Sequence, residues 1–236
     1  AVVGRSTWHA RRGAAALAVD WQPPPAGTLD SARILDDLTA RAREASARGE
    51  GFVFHEAGEP EAALAGAARR IEALYRAPYL AHAAMEPLNC TARVADGRVT
   101  LWVGTQVPSF TRAMAARVAG VPEANVDLHV TYLGGGFGRR LETDMVGQAV
   151  RVALETGGRP VQLVWPREED FGRDQYRPMA VVKASAGLDA NGHVTAWLYR
   201  NVSPSILGQR GIPLGATGKM QKNKLREQFK DYVLKT

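Results

Sequence analysis

The chain contains a short run of glycines, Gly134 to Gly138, interrupted by Phe137, and the segments on either side of it limit the possible folds. Before it, residues 126–132 alternate apolar and polar side chains, the two-residue period of a half-buried strand. After it, residues 141–154 follow helical spacing, which stops at Gly157-Gly158. The sequence therefore predicts a strand, a tight glycine loop and a helix in direct succession.

The composition of this loop suits a phosphate-bearing or oxo-bearing ligand. Glycine allows positive φ and close backbone approach, and a helix start offers unpaired N–H groups to an anion. Arg139 and Arg140 follow the loop and add positive charge. The alternative is a strand-to-helix turn whose glycines serve only packing. The run matches neither the dinucleotide fingerprint nor the Walker pattern.

The remaining elements predict an α+β, or mixed α/β, fold, because strands and helices are mixed with hairpins. Hairpins are expected where alternating segments flank Asp96-Gly97 and Asn191-Gly192. Other expected strands lie at the N-terminus on either side of a helix, at 51–58 and at 159–165. Other expected helices cover 60–75 and 109–118, and residues 31–47 are expected to form either a polar, Arg-rich helix or a mobile loop.

Charge and residue usage divide the chain near residue 208. Residues 211–236 hold six basic residues against two acidic ones, a net +4 of the chain's +6. Residues 1–210 contain 23 Arg and one Lys, whereas 211–236 contain five Lys and one Arg. Surface physics does not require this change, so we expect residues 208–236 to be a foreign-looking tail. The rest carries no basic stripe with interleaved aromatics, which excludes a typical nucleic-acid surface.

Cysteine usage and hydropathy exclude two further classes. Cys90 stands alone, so the sequence holds no disulfide framework and no cysteine-ligated zinc or iron–sulfur site. We interpret Cys90 as a small buried hydrophobic residue. No apolar run approaches the ~20 residues of a membrane span.

Four ordered motifs resemble isoquinoline 1-oxidoreductase beta subunits, of the xanthine dehydrogenase and aldehyde oxidase superfamily that binds molybdopterin. They are YLAHAAMEPLNCTARV (79–94), VGTQVP (103–108), LGGGFGRR (133–140) and WPREEDFGRDQYRPM (165–179). The resemblance covers residues 1–207. It implies the end of a hammerhead domain at 1–22, a linker at 23–50 and a partial molybdopterin-binding domain at 51–207.

The same resemblance implies roles for individual residues. Gln106 is similar to the glutamine that hydrogen-bonds an oxo ligand of molybdenum, and Arg177 to an arginine that orients substrate. The alternatives are a strand cap for Gln106 and, for Arg177, an ion pair with Glu168, Glu169 or Asp170 on a solvated surface. The loop residues implied to face the cofactor are Gly135, Gly136, Phe137, Gly138 and Arg139.

Two departures limit what the resemblance carries over. Leu141 stands where xanthine dehydrogenases place a substrate glutamate, which disfavours a purine-specific contact. His82 and Glu86, four residues apart, have no evident third partner. We therefore interpret both as structural and expect no metal ligands from the protein.

The implied activity is oxidation of a small N-heteroaromatic compound or aldehyde. Its implied cofactor is molybdopterin cytosine dinucleotide, with iron–sulfur clusters on a small [2Fe-2S] partner subunit. We expect the chain to be inactive alone, because the superfamily's general-base glutamate lies further downstream.

Residues 212–236 resemble the C-terminal end of acyl-CoA synthetases, with Lys219 at the adenylation lysine. Two other function classes thus stay open: a relative of acyl-CoA ligases and a non-catalytic binding module.

Overall fold

The computed structural model of the chain describes residues 1–22, 30–48 and 52–204. These form two compact units, one from the described residues of 1–25 and 81–176, the other from those of 26–80 and 177–236. Each unit contains one β-sheet. The N-terminal helix of the first unit, residues 7–15, has no buried residues.

The first unit contains a four-stranded mixed sheet in the order β4-β3-β2-β5. These strands are β2 (Asn89–Ala95), β3 (Arg98–Val103), β4 (Val126–Val130) and β5 (Val161–Val164). β2 and β3 form an antiparallel hairpin, turned by Asp96 and Gly97 with φ of 51° and 70°. β3 and β4 run parallel, with Val103 opposite Val130.

Two helices, α4 (Pro108–Ala119) and α5 (Asp144–Ala153), pack on this sheet. α4 is the crossover that a parallel β3–β4 pair requires, and it begins at a proline whose missing N–H costs nothing there. α5 buries one stripe with helical spacing: Met145, Val146, Ala149, Val150 and Ala153. That stripe closes a core with Cys90, Leu101 and Val103 of the sheet.

The second unit contains a three-stranded antiparallel sheet in the order β1-β6-β7. Its strands are β1 (Arg69–Ala77), β6 (Ala180–Leu188) and β7 (Val194–Val202). α2 (Ser31–Arg48) and α3 (Pro60–Ala65) both contact β6 and β7. The first unit also contains two shorter helices, α1 (Thr7–Ala15) and α6 (Arg167–Gly172), and two single turns, Glu123–Asn125 and Arg139–Leu141.

The mixed helix-and-strand class is confirmed, as are the β2–β3 and β6–β7 hairpins and the helix at 108–119. The helix expected at 60–75 is wrong in its second half, because α3 ends at Ala65 and β1 begins at Arg69. Ile71 and Tyr75 fit both a helical and an alternating pattern, and pairing with β6 decides between them. The strands expected around α1 and at 52–58 do not form.

The expected domain limits stay predictions. Residues 31–48, within the expected linker, form α2, and the described residues 52–204 of the expected partial molybdopterin-binding domain belong to both compact units. The hammerhead assignment of residues 1–22 stays a prediction. The tail at 208–236, with Lys219, lies outside the described residues. Within the described residues, every helix is too short or too polar to cross a bilayer.

Candidate functional site

The candidate site lies where β3 and β4 end. Because these strands are parallel, their carboxyl ends meet at one edge of the sheet, and the segments that follow them become neighbours. Gly104 to Gln106 follow β3, and the glycine loop follows β4. The Thr131 N–H donates to the Val103 carbonyl oxygen at 3.2 Å, which extends the pairing toward the loop.

Three of the five residues of the glycine loop have positive φ: Gly135, Phe137 and Gly138. Gly135 and Gly138 have φ of 105° and 100°, which glycine adopts without a Cβ clash. Phe137, with φ of 52°, holds a strained conformation and leaves 74 % of its surface exposed. Within the described residues, the N–H groups of Gly135, Gly136 and Phe137 donate to no protein acceptor. Three successive backbone donors are therefore left without a protein acceptor.

Gln106 is fixed against this loop by one backbone hydrogen bond. The Gly138 N–H donates to Gln106 Oε1 at 3.2 Å, and since an N–H can only donate, this contact sets which side of the amide carries the oxygen. The amide Nε2 then remains as a donor that has no acceptor among the described residues. A Cβ on Gly136 would lie 2.6 Å from Gln106 Oε1, so any larger residue there would displace the glutamine.

Arg140 ties three segments of the site together from beneath. Its side chain is fully buried and makes four hydrogen bonds. Nε donates to the Gly135 carbonyl at 2.9 Å, and Nη1 donates to the Gly104 carbonyl at 3.2 Å. Nη2 donates to the Glu86 carbonyl at 3.2 Å and to Glu86 Oε2 at 2.8 Å. The loop, the end of β3 and the segment before β2 thus share one guanidinium.

Glu86 holds the first residue of the loop. Its Oε2 accepts from the Gly134 N–H at 2.7 Å, and its Oε1 accepts from Asn89 Nδ2 at 2.8 Å. Partial burial acts to raise the pKa of Glu86, but the hydrogen bonds from Gly134 and Asn89 and the charge of Arg140 outweigh it, so the pKa lies below its ordinary value. The carboxylate is therefore ionised at neutral pH.

Arg139 belongs to a second buried cluster. Its guanidinium donates to both oxygens of Asp144, at 3.1 and 2.7 Å, and its Nε lies 3.2 Å from Asp174 Oδ1. It also lies over the Trp165 ring, 5.5 Å from the centroid. Only 2 % of Arg139 and 3 % of the Asp174 side chain are exposed.

The expectation that Arg139 and Arg140 add open positive charge at the loop is wrong. The turn Arg139–Leu141 directs both side chains inward, where carboxylates balance them. The open donors of the loop are therefore backbone N–H groups and the Gln106 amide. Contact between Arg139 and a cofactor stays a prediction.

Residues 79–88 form no helix, so His82 and Glu86 do not share a helical face. His82 Nδ1 lies 2.8 Å from Asp174 Oδ1, and the His82 N–H donates to Asp174 Oδ2 at 2.5 Å. No group of three potential metal ligands occurs among the described residues. Sequence reasoning missed that both residues lie at the loop, although the segment containing them was one of the four motifs.

Arg177 lies in the second unit. Its Nη2 donates to the Pro78 carbonyl at 2.9 Å, and its backbone pairs with that of Leu80. Two of the three acidic residues considered as its partners pair with other arginines, Glu169 with Arg173 and Asp170 with Arg167. A substrate-orienting role for Arg177 stays a prediction.

Comparison with known proteins identifies relatives of this fold and site. A family model described as molybdopterin cofactor-binding domain matches residues 45–205. Isoquinoline 1-oxidoreductase subunit beta of Brevundimonas diminuta is 31 % identical over 80 % of this chain and 25 % of its own length. A membrane-bound aldehyde dehydrogenase [pyrroloquinoline-quinone] of Gluconacetobacter polyoxogenes is 29 % identical over 92 % of this chain and 28 % of its own.

Among solved structures, quinoline 2-oxidoreductase from Pseudomonas putida 86 superposes with a TM-score of 0.57. It is 24 % identical, and the match covers 83 % of this chain and 25 % of that one, so it supports the fold alone. The chain spans about a quarter of the length of these relatives.

Proposed function

Since this chain belongs to the molybdopterin cofactor-binding domain family, we propose that it is part of the molybdenum-binding large subunit of an oxidoreductase. The substrates we propose are small N-heteroaromatic compounds or aldehydes, the classes that the names of the relatives indicate. On this proposal residues 51–207 are one piece of a longer subunit. The chain of residues 1–236 is then inactive by itself.

The observation that carries the proposal is the row of open donors beside Gln106. The N–H groups of residues 135–137 and the Gln106 amide all lack protein acceptors among the described residues. Such a set fits a ligand rich in acceptor oxygens, as an oxo-bearing or phosphate-bearing cofactor is. Gly136 supports this assignment, because a Cβ there would displace the glutamine from the donor row.

The division of labour follows from these contacts. When bound, the molybdenum cofactor supplies the two-electron redox chemistry, and the protein supplies position and electrostatics. Gln106 would hold an oxygen of the cofactor through Nε2, and the loop backbone would contact it closely. Arg140 and Glu86 keep the loop and Gln106 in register through their shared hydrogen bonds.

Three finer assignments complete the proposal. The cofactor is proposed to be the cytosine dinucleotide form, and the electrons are proposed to leave through iron–sulfur clusters of a small [2Fe-2S] partner subunit. Arg177 is proposed to orient the substrate. One relative's name carries pyrroloquinoline quinone, so identification of the bound cofactor is a direct test.

The test compares Gly136→Ala with the control Gly172→Ala, whose added Cβ would meet nothing within 4 Å. The complete large subunit is purified with its small subunit after expression with the molybdenum cofactor pathway, and molybdenum and pterin are measured per protein. We expect both in the wild type and in Gly172→Ala, and on the order of tenfold less in Gly136→Ala, equivalent to about 1.4 kcal/mol of binding. Wild-type protein without molybdenum or pterin contradicts the proposal.

The resemblance of residues 212–236 to acyl-CoA synthetases stays a prediction about a joined, foreign segment. A ligase role for Lys219 has a simple assay, adenylate-dependent pyrophosphate exchange by the purified chain. We expect none, because the tail lacks the nucleotide-binding loops of that family.

A further inference from the structure

His82 is held in one orientation at the edge of the glycine loop. Its ring Nδ1 and its backbone N–H both contact the carboxylate of Asp174, at 2.8 and 2.5 Å. That carboxylate is 3 % exposed and also neighbours the Arg139 guanidinium, while the imidazole keeps 17 % of its surface exposed. The ring is thus anchored on its Nδ1 side by a buried charge and open on the other.

The other ring nitrogen faces the loop. His82 Nε2 lies 3.6 Å from the position that a Cβ on Gly138 would occupy, and Gly138 is the residue that donates to Gln106. Within the described residues, Nε2 makes no hydrogen bond. Ala83, immediately after His82, has φ of 48°, a conformation that alanine adopts only when its surroundings impose it.

Asp174 decides what this imidazole offers. Because a carboxylate accepts hydrogen bonds, Nδ1 carries the proton of the His82–Asp174 contact. Nε2 is then the nitrogen left for a ligand, beside the donors of Gln106 and of the loop.

We propose that His82 is a further cofactor-binding residue, whose Nε2 forms a hydrogen bond with the group held at the glycine loop. This inference rests on the proposed function. It replaces the interpretation of His82 as a structural residue, and it assigns Asp174 as the positioning residue that orients the ring.

A pair of substitutions separates contact with the cofactor from support of Asp174. In His82→Asn the short amide can keep the bond to Asp174 but places nothing at the position of Nε2. In His82→Gln the longer amide can reach that position but gives up the Nδ1 geometry. Direct contact predicts cofactor loss in His82→Asn and retention in His82→Gln, whereas a structural role predicts the reverse.

The experiment uses the complete large subunit expressed with the molybdenum cofactor pathway, and it measures molybdenum and pterin per protein. Loss of one charge-assisted hydrogen bond lowers retention ~10-fold or more in His82→Asn, and we expect His82→Gln to stay within about threefold of the wild type. His193→Asn and His193→Gln are matched controls, because His193 forms a similar pair with Asp189 in the exposed β6–β7 turn. Both controls should equal the wild type.

Each outcome is decisive. A loaded wild type with His82→Asn also fully loaded overturns the role of His82 and leaves the proposed function standing. Loss in His82→Gln with retention in His82→Asn assigns the residue to support of Asp174. Equal loss in both variants also overturns the inference, because contact through Nε2 predicts retention in His82→Gln. A wild type without molybdenum and pterin overturns the proposed function, and this inference with it.

Discussion

Replacement of Arg140 by lysine tests whether one guanidinium organises the candidate site. Arg140 makes four hydrogen bonds from a fully buried position, one of them to a carboxylate. Lysine keeps the charge but has three N–H donors on one nitrogen, so it cannot span acceptors on three separate segments. At least one carbonyl oxygen of Gly135, Gly104 or Glu86 then loses its partner.

The cost follows from those contacts. One buried unsatisfied carbonyl costs ~1–3 kcal/mol, and weakening of the bond to the Glu86 carboxylate adds ~1 kcal/mol. We therefore expect Arg140→Lys to lower the stability of the first unit by about 2–4 kcal/mol. Arg151→Lys is the control, because the ion pair between Arg151 and Glu155 is exposed to solvent. This substitution should change the stability by less than ~0.5 kcal/mol.

Native-state hydrogen exchange measures the stability of the first unit, because it reports the opening free energy of its sheet, β2 to β5, separately from that of the second unit. The loop peptide containing residues 134–141 should lose protection in Arg140→Lys more than the sheet does. An Arg140→Lys protein whose exchange matches that of Arg151→Lys would refute the view that this side chain couples the three segments.

Three further predictions concern single groups and the whole chain. The pKa of Glu86 is lowered in the folded state, so the ionised carboxylate contributes stability above the ordinary pKa of 4.5, and this contribution is lost as the pH falls below that value. Glu86→Gln should therefore be less stable than the wild type in urea unfolding at pH 7, and its stability should lack this part of the dependence on acid pH. Burial raises the pKa of the Cys90 thiol to about 12, so a thiol reagent at pH 8 should label it only after unfolding in denaturant. Purified residues 1–236 should show no turnover of isoquinoline or quinoline with an artificial electron acceptor, and measurable hydroxylation would contradict the proposal that the chain is a partial subunit.

Local sequence patterns correctly predicted the parts of the fold that depend on turn residues. Asp96-Gly97 fixes a two-residue hairpin turn, because both of its residues have positive φ. In the longer connection between β6 and β7, Gly192 supplies positive φ, and both hairpins form. The segment 69–77 contains no comparable local signal for a strand. Its apolar residues suit either period, and only the distant strand β6 makes it a strand.

The candidate site was predictable in part for the same reason. The loop and Gln106 were found from their motifs, and the parallel pairing of β3 with β4 explains why they meet. The environment of the arginines was not predictable, because two adjacent arginines after a glycine run suit an anion site as well as a buried ion pair. Burial depends on which carboxylates the fold brings near, and Asp174 is 35 positions away from Arg139 in the chain.

The parallel strands that join the site also leave the opposite edge of the sheet free of it. There the Asp96-Gly97 turn and the short turn Glu123–Asn125 meet, and Asn125 Nδ2 donates to the Gly97 carbonyl at 3.1 Å. The six residues of β3 separate this edge from Gln106 by ~20 Å. A label attached to the side chain at position 96 would therefore lie far from the groups of the candidate site.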